Sequence, residues 1–278
     1  MDVKYGMIEP RKLRKERERH DHEYQNRSEP LVSVYIPTYN RGEILIERSV
    51  TSVLKQSYKN LEIVIVGDHC TDNTAALVND IGDSRIRFYN IPQRGYRYPP
   101  TAENHWLAGP VVAANVALGL VEGDWIARVD DDDTWTEDHV ESLLNFAQDG
   151  NYEFVSGQYV SVRYGVKSIQ DGVGAKSAYY TRSEVPITGE NPLIGGTSTW
   201  LYRSYLKFFK YNINCWRKDW NRVNDIDISQ RFFKAGVHMG FLPKVLSYVL
   251  PRPGEKTIGL DAYKEAEDEK LSHFKFDS

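Results

Sequence analysis

Four carboxylates stand in a row at Asp130, Asp131, Asp132 and Asp133. Side by side they repel one another, and nearby Trp135 argues that the segment is not wholly solvated, so their charge calls for a cation. In an extended chain Asp130 and Asp132 point to one side. Magnesium and manganese are held by one or two carboxylates, with phosphate oxygens and waters completing the shell. The Asp-x-Asp pair therefore reads as a metal–diphosphate site with Asp130 and Asp132 as ligands. The plainer alternative is an acidic surface turn in which Asp133 caps a helix beginning near Thr136. Asp68, in Gly67-Asp68-His69-Cys70-Thr71-Asp72, could accept the ring N–H of a uracil. Its alternative is an Asx-turn leading into a helix near Thr74.

These groups need a scaffold that brings strand ends together, and the flanking patterns supply one. Leu31–Ile36 is a buried β-branched run stopped by Pro37, and Leu61–Val66 is a second. Arg85–Tyr89 reads as a third strand and Asp124–Val129 as a fourth, running into the aspartates. Between them, Gly42–Gln56, Thr74–Ile81 and Pro110–Val121 carry helical patterns. Strand and helix alternate, which indicates an α/β fold with a parallel sheet and its chemistry at the carboxyl ends of the strands. The first strand delivers Pro37, Thr38, Tyr39, Asn40 and Arg41 to that edge.

After about Gly150 the alternation fails. Tyr152–Tyr164 reads as a strand, Lys167–Lys176 as hairpin and loop, Asp225–Ala235 as a helix, and His238–Leu242 and Val245–Leu250 as short strands. One domain with two halves is expected: a charged arm over 1–30, a first half over 31–135, a second half over 136–260 and a tail over 261–278.

Composition narrows the class. The 278 residues hold 35 Lys+Arg against 39 Asp+Glu, a net charge of −4, which argues against a surface built for nucleic acid. Cys70 and Cys215 form neither a disulfide framework nor a zinc site, so a reducing compartment is expected. Residues 1–30 lack the apolar stretch of a signal peptide, and Val111–Val121 has roughly half the length a bilayer core requires. A soluble, cytoplasmic chain follows, with peripheral membrane association still open and the oligomeric state undetermined.

Taken together, VSVYIPTYNR, IVGDHCTDNT and AANVALGLVEGDWIARVDDDD resemble the inverting family 2 glycosyltransferases of GT-A fold. The stretch Val223-Asn224-Asp225-Ile226-Asp227-Ile228, followed by Arg231 to Gly236, is similar to that family's later acidic helix. The resemblance runs from about Val32 to Leu250. It implies a Rossmann-like, mainly parallel sheet flanked by helices, with a mixed, partly antiparallel acceptor half. It also implies a nucleotide-sugar donor, preferably a UDP-sugar, a Mn2+ or Mg2+ cofactor, and a saccharide or glycolipid acceptor. Pro37, Thr38, Tyr39, Arg41, Asp68, Asp130 and Asp131 would line the nucleotide, and Asp130 and Asp132 the metal. Asp225 would be the general base, its plainer alternative being a helix N-cap.

Gly196, Thr197, Trp200 and Asn224 are the expected acceptor-side residues, with Trp216 and Trp220 as further aromatics that could stack on sugar or simply fill a core. Gln93–Trp106 is long for a connection and reads as a binding loop. His69, His105 and His238 receive no role. Three departures from the family pattern stand out: Gly67 in place of an Asp, Asn224 in place of a Glu, and no histidine around Tyr248–Pro251. Arg252 or Lys256 could meet phosphate instead. The rival readings are a haloacid dehalogenase-type phosphatase using Asp130-x-Asp132-x-Thr134, a sugar-nucleotide nucleotidyltransferase, and a non-catalytic transferase homologue.

Overall fold

The computed structural model describes residues 2–20, 29–177 and 192–268. The arm residues 21–28 and the tail residues 269–278 lie outside them. Helix α1 (Asp2–His20) precedes strand β1 (Val32–Thr38). A composite helix follows, α2 (Gly42–Ile44) and α3 (Thr51–Leu54) joined by a π-helical turn at Leu45–Val50. Next come β2 (Leu61–Gly67), α4 (Thr74–Asp80), β3 (Ile86–Asn90), α5 (Ala102–Ala108), α6 (Val111–Leu120) and β4 (Trp125–Arg128). Strands β1 to β4 pair in parallel in the order β3-β2-β1-β4.

The second half continues the same sheet with mixed directions. It contains β5 (Asp133–Trp135), α7 (His139–Asp149), β6 (Phe154–Arg163), β7 (Val166–Gln170), the short pair β8 (Val173–Gly174) and β9 (Leu193–Ile194), and β10 (Trp200–Arg203). Helix α8 (Asn224–Ala235), strand β11 (Met239–Val249) and helix α9 (Leu260–Asp268) complete the described chain. Strand β10 runs antiparallel between β4 and β6, and β11 joins β6 to β5. The mixed half is thus as expected. The two short strands expected over 238–250 are one strand, with register shifts between Leu242 and Ser247.

The period-2 pattern sends alternate β1 side chains into two cores. Val32, Val34 and Ile36 pack on one face of the sheet with Leu45, Val53 and Leu143. Tyr35 enters the other, with Ala113, Ala114 and Ala117 of α6, whose small side chains let that helix lie close to the strands.

Helix α1 of the charged arm is docked along one face. Leu13 is buried in the core, Arg17 grips Glu153 at 2.6 and 2.5 Å, and Glu9 pairs with Arg231 at 2.5 Å. A single apolar anchor and two long-range ion pairs dock the helix despite its polar composition.

Candidate functional site

The carboxyl ends of β1, β2 and β4 converge with the start of α8 on a cavity of about 240 Å³. Pro37, Thr38, Tyr39, Arg41, Asp68, Asp130, Asp131, Asp132, Thr197, Asn224 and Asp225 all line it. Asp132 and Asp225, 93 positions apart in sequence, therefore face one space.

The four aspartates have different partners. Asp131 is turned inward, accepting from the Thr38 hydroxyl at 2.8 Å and from Arg41 at 3.0 Å. Asp130 Oδ1 takes two bonds from Arg128, from Nε at 3.0 Å and Nη2 at 2.8 Å. Asp133 sits in β5 and accepts from Ser198 at 2.5 Å, so it does not cap a helix at Thr136. Asp132 has one carboxylate oxygen 3.6 Å from both Arg41 and Arg252, beyond hydrogen-bond distance. Burial first, and then the neighbouring carboxylates, push the Asp133 carboxyl well above the usual range. Burial also raises Asp130 and Asp131, with Arg128 and Arg41 respectively working against it.

A hard divalent cation fits this donor set. Neighbouring carboxylates help to raise Asp130, Asp131 and Asp133, a repulsion that a cation would relieve, and Asp132 is the member least engaged by hydrogen bonds. Among the described residues no cluster of three or more His, Cys, Asp or Glu could hold a metal alone. One or two carboxylates completed by diphosphate oxygens and water is the arrangement that remains.

Asp225 lies in the first turn of α8, while Val223 occupies the cap position. Its Oδ2 accepts from the Thr197 hydroxyl at 2.7 Å, and its Oδ1 from the Ile226 N–H at 2.8 Å. Asn224 receives Arg128 at 3.5 Å and donates to the Leu107 carbonyl at 3.0 Å. A glutamate could not make that donation, which accounts for the Asn here. Its amide is engaged by Arg128 and Leu107 while the residue lines the cavity. Gly195 lies so close to Gly157 that an added Cβ would come within 2.0 Å of its carbonyl oxygen, so the 195–197 wall rests directly on β6.

Trp200 does not fit the sugar-stacking reading. It is 1% exposed, packs edge-on against Phe154 and donates to the Gly195 carbonyl at 2.9 Å. An indole at the start of a strand in mid-sheet fills the core. Trp216 is partly buried against the core, and Trp220 is exposed. Lys256 is exposed, whereas Arg252 lines the cavity.

Several cavity residues escaped the sequence reading. Arg94 and Arg97 reach Asp68 at 3.2 and 2.8 Å, and the Arg94 guanidinium covers the Tyr39 ring at 3.9 Å. Their loop was flagged, but not these side chains. Arg128 is a fully buried cation in an apolar strand just before the aspartates, a signal that was available in WIARV. Tyr263 receives hydrogen bonds from Arg41 at 3.1 Å and Arg252 at 2.9 Å, which ties α9 over the cavity. His105 also lines it, and burial together with Arg41, Arg94 and Arg252 holds its imidazole near pKa 3, hence neutral.

A family model described as "Glycosyl transferase family 2" matches residues 33–209. The UDP-Glc:alpha-D-GlcNAc-diphosphoundecaprenol beta-1,3-glucosyltransferase WfgD of Escherichia coli is 34% identical over 129 residues, 46% of this chain and 46% of its own. Glycosyltransferase GlyG of Streptococcus pneumoniae is 32% identical over 131 residues, covering 46% of this chain and 39% of that one. The chain thus matches less than half the length of these relatives. Among solved structures, S. aureus TarS 1-349 in complex with UDP-GlcNAc superposes with TM-score 0.58 at 18% identity, over 81% of this chain and 60% of that one. Mannosyltransferase PcManGT from Pyrobaculum calidifontis, in complex with GDP-Man and Mn2+, gives 0.55 at 18%, over 90% and 67%. These likenesses show the fold, an α/β GT-A architecture.

Proposed function

The chain belongs to glycosyl transferase family 2, and from that membership we propose that it moves a sugar from a nucleotide-sugar donor to a hydroxyl acceptor by one inverting displacement. The observation that carries this reading is the single cavity shared by Asp132 and Asp225. Asp225, held by Thr197, takes the acceptor proton as the acceptor oxygen bonds to the anomeric carbon and the bond to the diphosphate breaks. Arg41 and Arg252 flank the place where the leaving diphosphate gathers charge. Asp132, with Asp130 beside it, would hold a divalent cation, Mn2+ or Mg2+, which supplies Lewis-acid neutralisation of that diphosphate. Asp68 and Tyr39 would meet the base once Arg94 turns aside. The acceptor is a saccharide or glycolipid, and the reaction belongs in the reducing cytoplasm, in keeping with two buried free thiols.

UDP is the preferred nucleotide, since two of the similar proteins are described with UDP-sugars. Thermal-shift titration with UDP, GDP and dTDP, each with and without Mn2+, tests the reading. Stabilisation by UDP that needs Mn2+ and vanishes in Asp132→Ala is expected. A shift by UDP that is indifferent to both the ion and the substitution would refute the metal assignment.

A further inference from the structure

Helix α1 lies ahead of the 33–209 family match and serves no part of the cavity. Its inner face is Glu9 and Leu13, with Tyr5 stacked on the Arg231 guanidinium at 4.3 Å. Its outer face exposes Met7 (57%) and Ile8 (50%), and then Arg11, Lys12, Arg14 and Lys15 with Glu18, while Arg19 is paired with Glu16 at 3.3 Å. Lys12 stands 4.8 Å over the Phe208 ring, near Lys207 and Lys210. Burial, and then Lys207 and Lys12, lower the Lys210 ammonium, so cations are crowded here.

The helix is also oriented. Arg17, at its far end, donates to the Gly236 carbonyl after the end of α8. At its near end Tyr5 and Gly6 line a small pocket with Lys218, Asn221 and Asp227 at the start of α8. The helices therefore run parallel, and Met7 and Ile8 sit toward the end of α8 that bears Asp225. Trp220, 52% exposed, directly precedes Asn221 of that pocket in the chain. An exposed apolar tip followed by a basic face complements an anionic lipid surface, where the apolar groups enter the headgroup boundary and the cations meet phosphate.

We propose that α1, with Lys207, Lys210 and Trp220 beside it, docks the protein on anionic bilayers so that a lipid-anchored acceptor reaches Asp225 from the membrane side. The acceptor half of this statement rests on the glycosyltransferase reading, whereas the docking does not. Flotation of the full chain with phosphatidylglycerol-rich vesicles and with vesicles of phosphatidylcholine alone, without donor or acceptor, separates the two. Binding to the anionic vesicles only, weakening as salt rises, is expected. Arg11→Glu combined with Arg14→Glu and Lys15→Glu should weaken it about tenfold or more, and Met7→Ser with Ile8→Ser should weaken it as well. Both variants should keep the wild-type melting temperature and nucleotide-induced thermal shift. Equal partition to both vesicle types, no flotation, a triple variant that floats like wild type, or retention on RNA in preference to vesicles would overturn the proposal.

Discussion

Gly67 stands where the family pattern has an aspartate, and the reason is steric. A Cβ there would meet Asn90 Oδ1 at 2.7 Å and Cys70 Sγ at 2.9 Å. Asn90 uses that space to hold the turn after β2, accepting from the Cys70 N–H at 2.7 Å and donating to its carbonyl at 2.8 Å. Restoring the motif with Gly67→Asp should therefore destabilise the protein by about 1–3 kcal/mol, measured by urea denaturation. Asn90→Ala in the same chain should recover part of that loss; strictly additive losses would discount the clash. The substituted motif residues Gly67 and Asn224 were visible in the sequence. Their reasons were not, because Asn90 and Leu107 become neighbours only on folding. The same holds for Arg94 and Arg97, which meet Asp68 from 26 and 29 positions away. Charge pairing across such distances leaves no periodic trace.

At the scale of elements, local pattern was informative where burial enforces it. The runs at 31–36 and 61–66 are β1 and β2 because their side chains alternate between two cores, and the strand-to-aspartate junction followed from β4. The charged sequence of helix α1 does not announce its docking, which depends on Leu13 and on ion pairs to residues over a hundred positions away. Trp200 was misassigned because small residues followed by an indole look alike in a binding wall and in a core. Helix α7 offers a test of burial at this scale. His139 stacks on Trp135 at 3.9 Å, its Nδ1 faces the Leu246 carbonyl at 2.9 Å, and its buried Nε2 has no partner among the described residues. Burial lowers its pKa to about 3. Below the ordinary histidine pKa near 6.5 the unfolded chain takes up a proton that the folded chain refuses, so stability falls as pH drops from about 6.5 toward 3, by up to about 1.4 kcal/mol per pH unit. Denaturation midpoints at pH 7 and pH 5 should show this fall, and His139→Phe should make it shallower, His105 keeping its own share. An unchanged slope would mean that the imidazole is protonated in place.

Across the whole molecule, the two halves are coupled by the segment after β11. Arg48, from the π-helical turn, donates to the carbonyls of Asp132, Leu250 and Pro251 at 2.9, 3.1 and 2.7 Å. Arg252 is bound by Glu255 at 2.6 Å and by Tyr263. The cavity of about 240 Å³ falls below the roughly 300–1,000 Å³ typical of ligand sites. Arg94, Arg252 and Tyr263 fill part of it, so under the proposed function they would shift to admit a whole nucleotide-sugar. Arg252→Ala should weaken UDP about tenfold while leaving uridine binding unchanged by calorimetry, because the guanidinium addresses phosphate. Equal weakening of both ligands would place Arg252 elsewhere.

The proposed displacement requires a carboxylate at the start of α8 to act on the acceptor across from the donor's diphosphate. The direct test pairs calorimetric titration of UDP and Mn2+ with a sugar-transfer assay, on wild type and on Asp225→Asn. The expected result is nucleotide affinity within about twofold of wild type and transfer reduced by about a hundredfold or more. Transfer near the wild-type rate, or nucleotide binding lost along with it, would contradict the role given to Asp225.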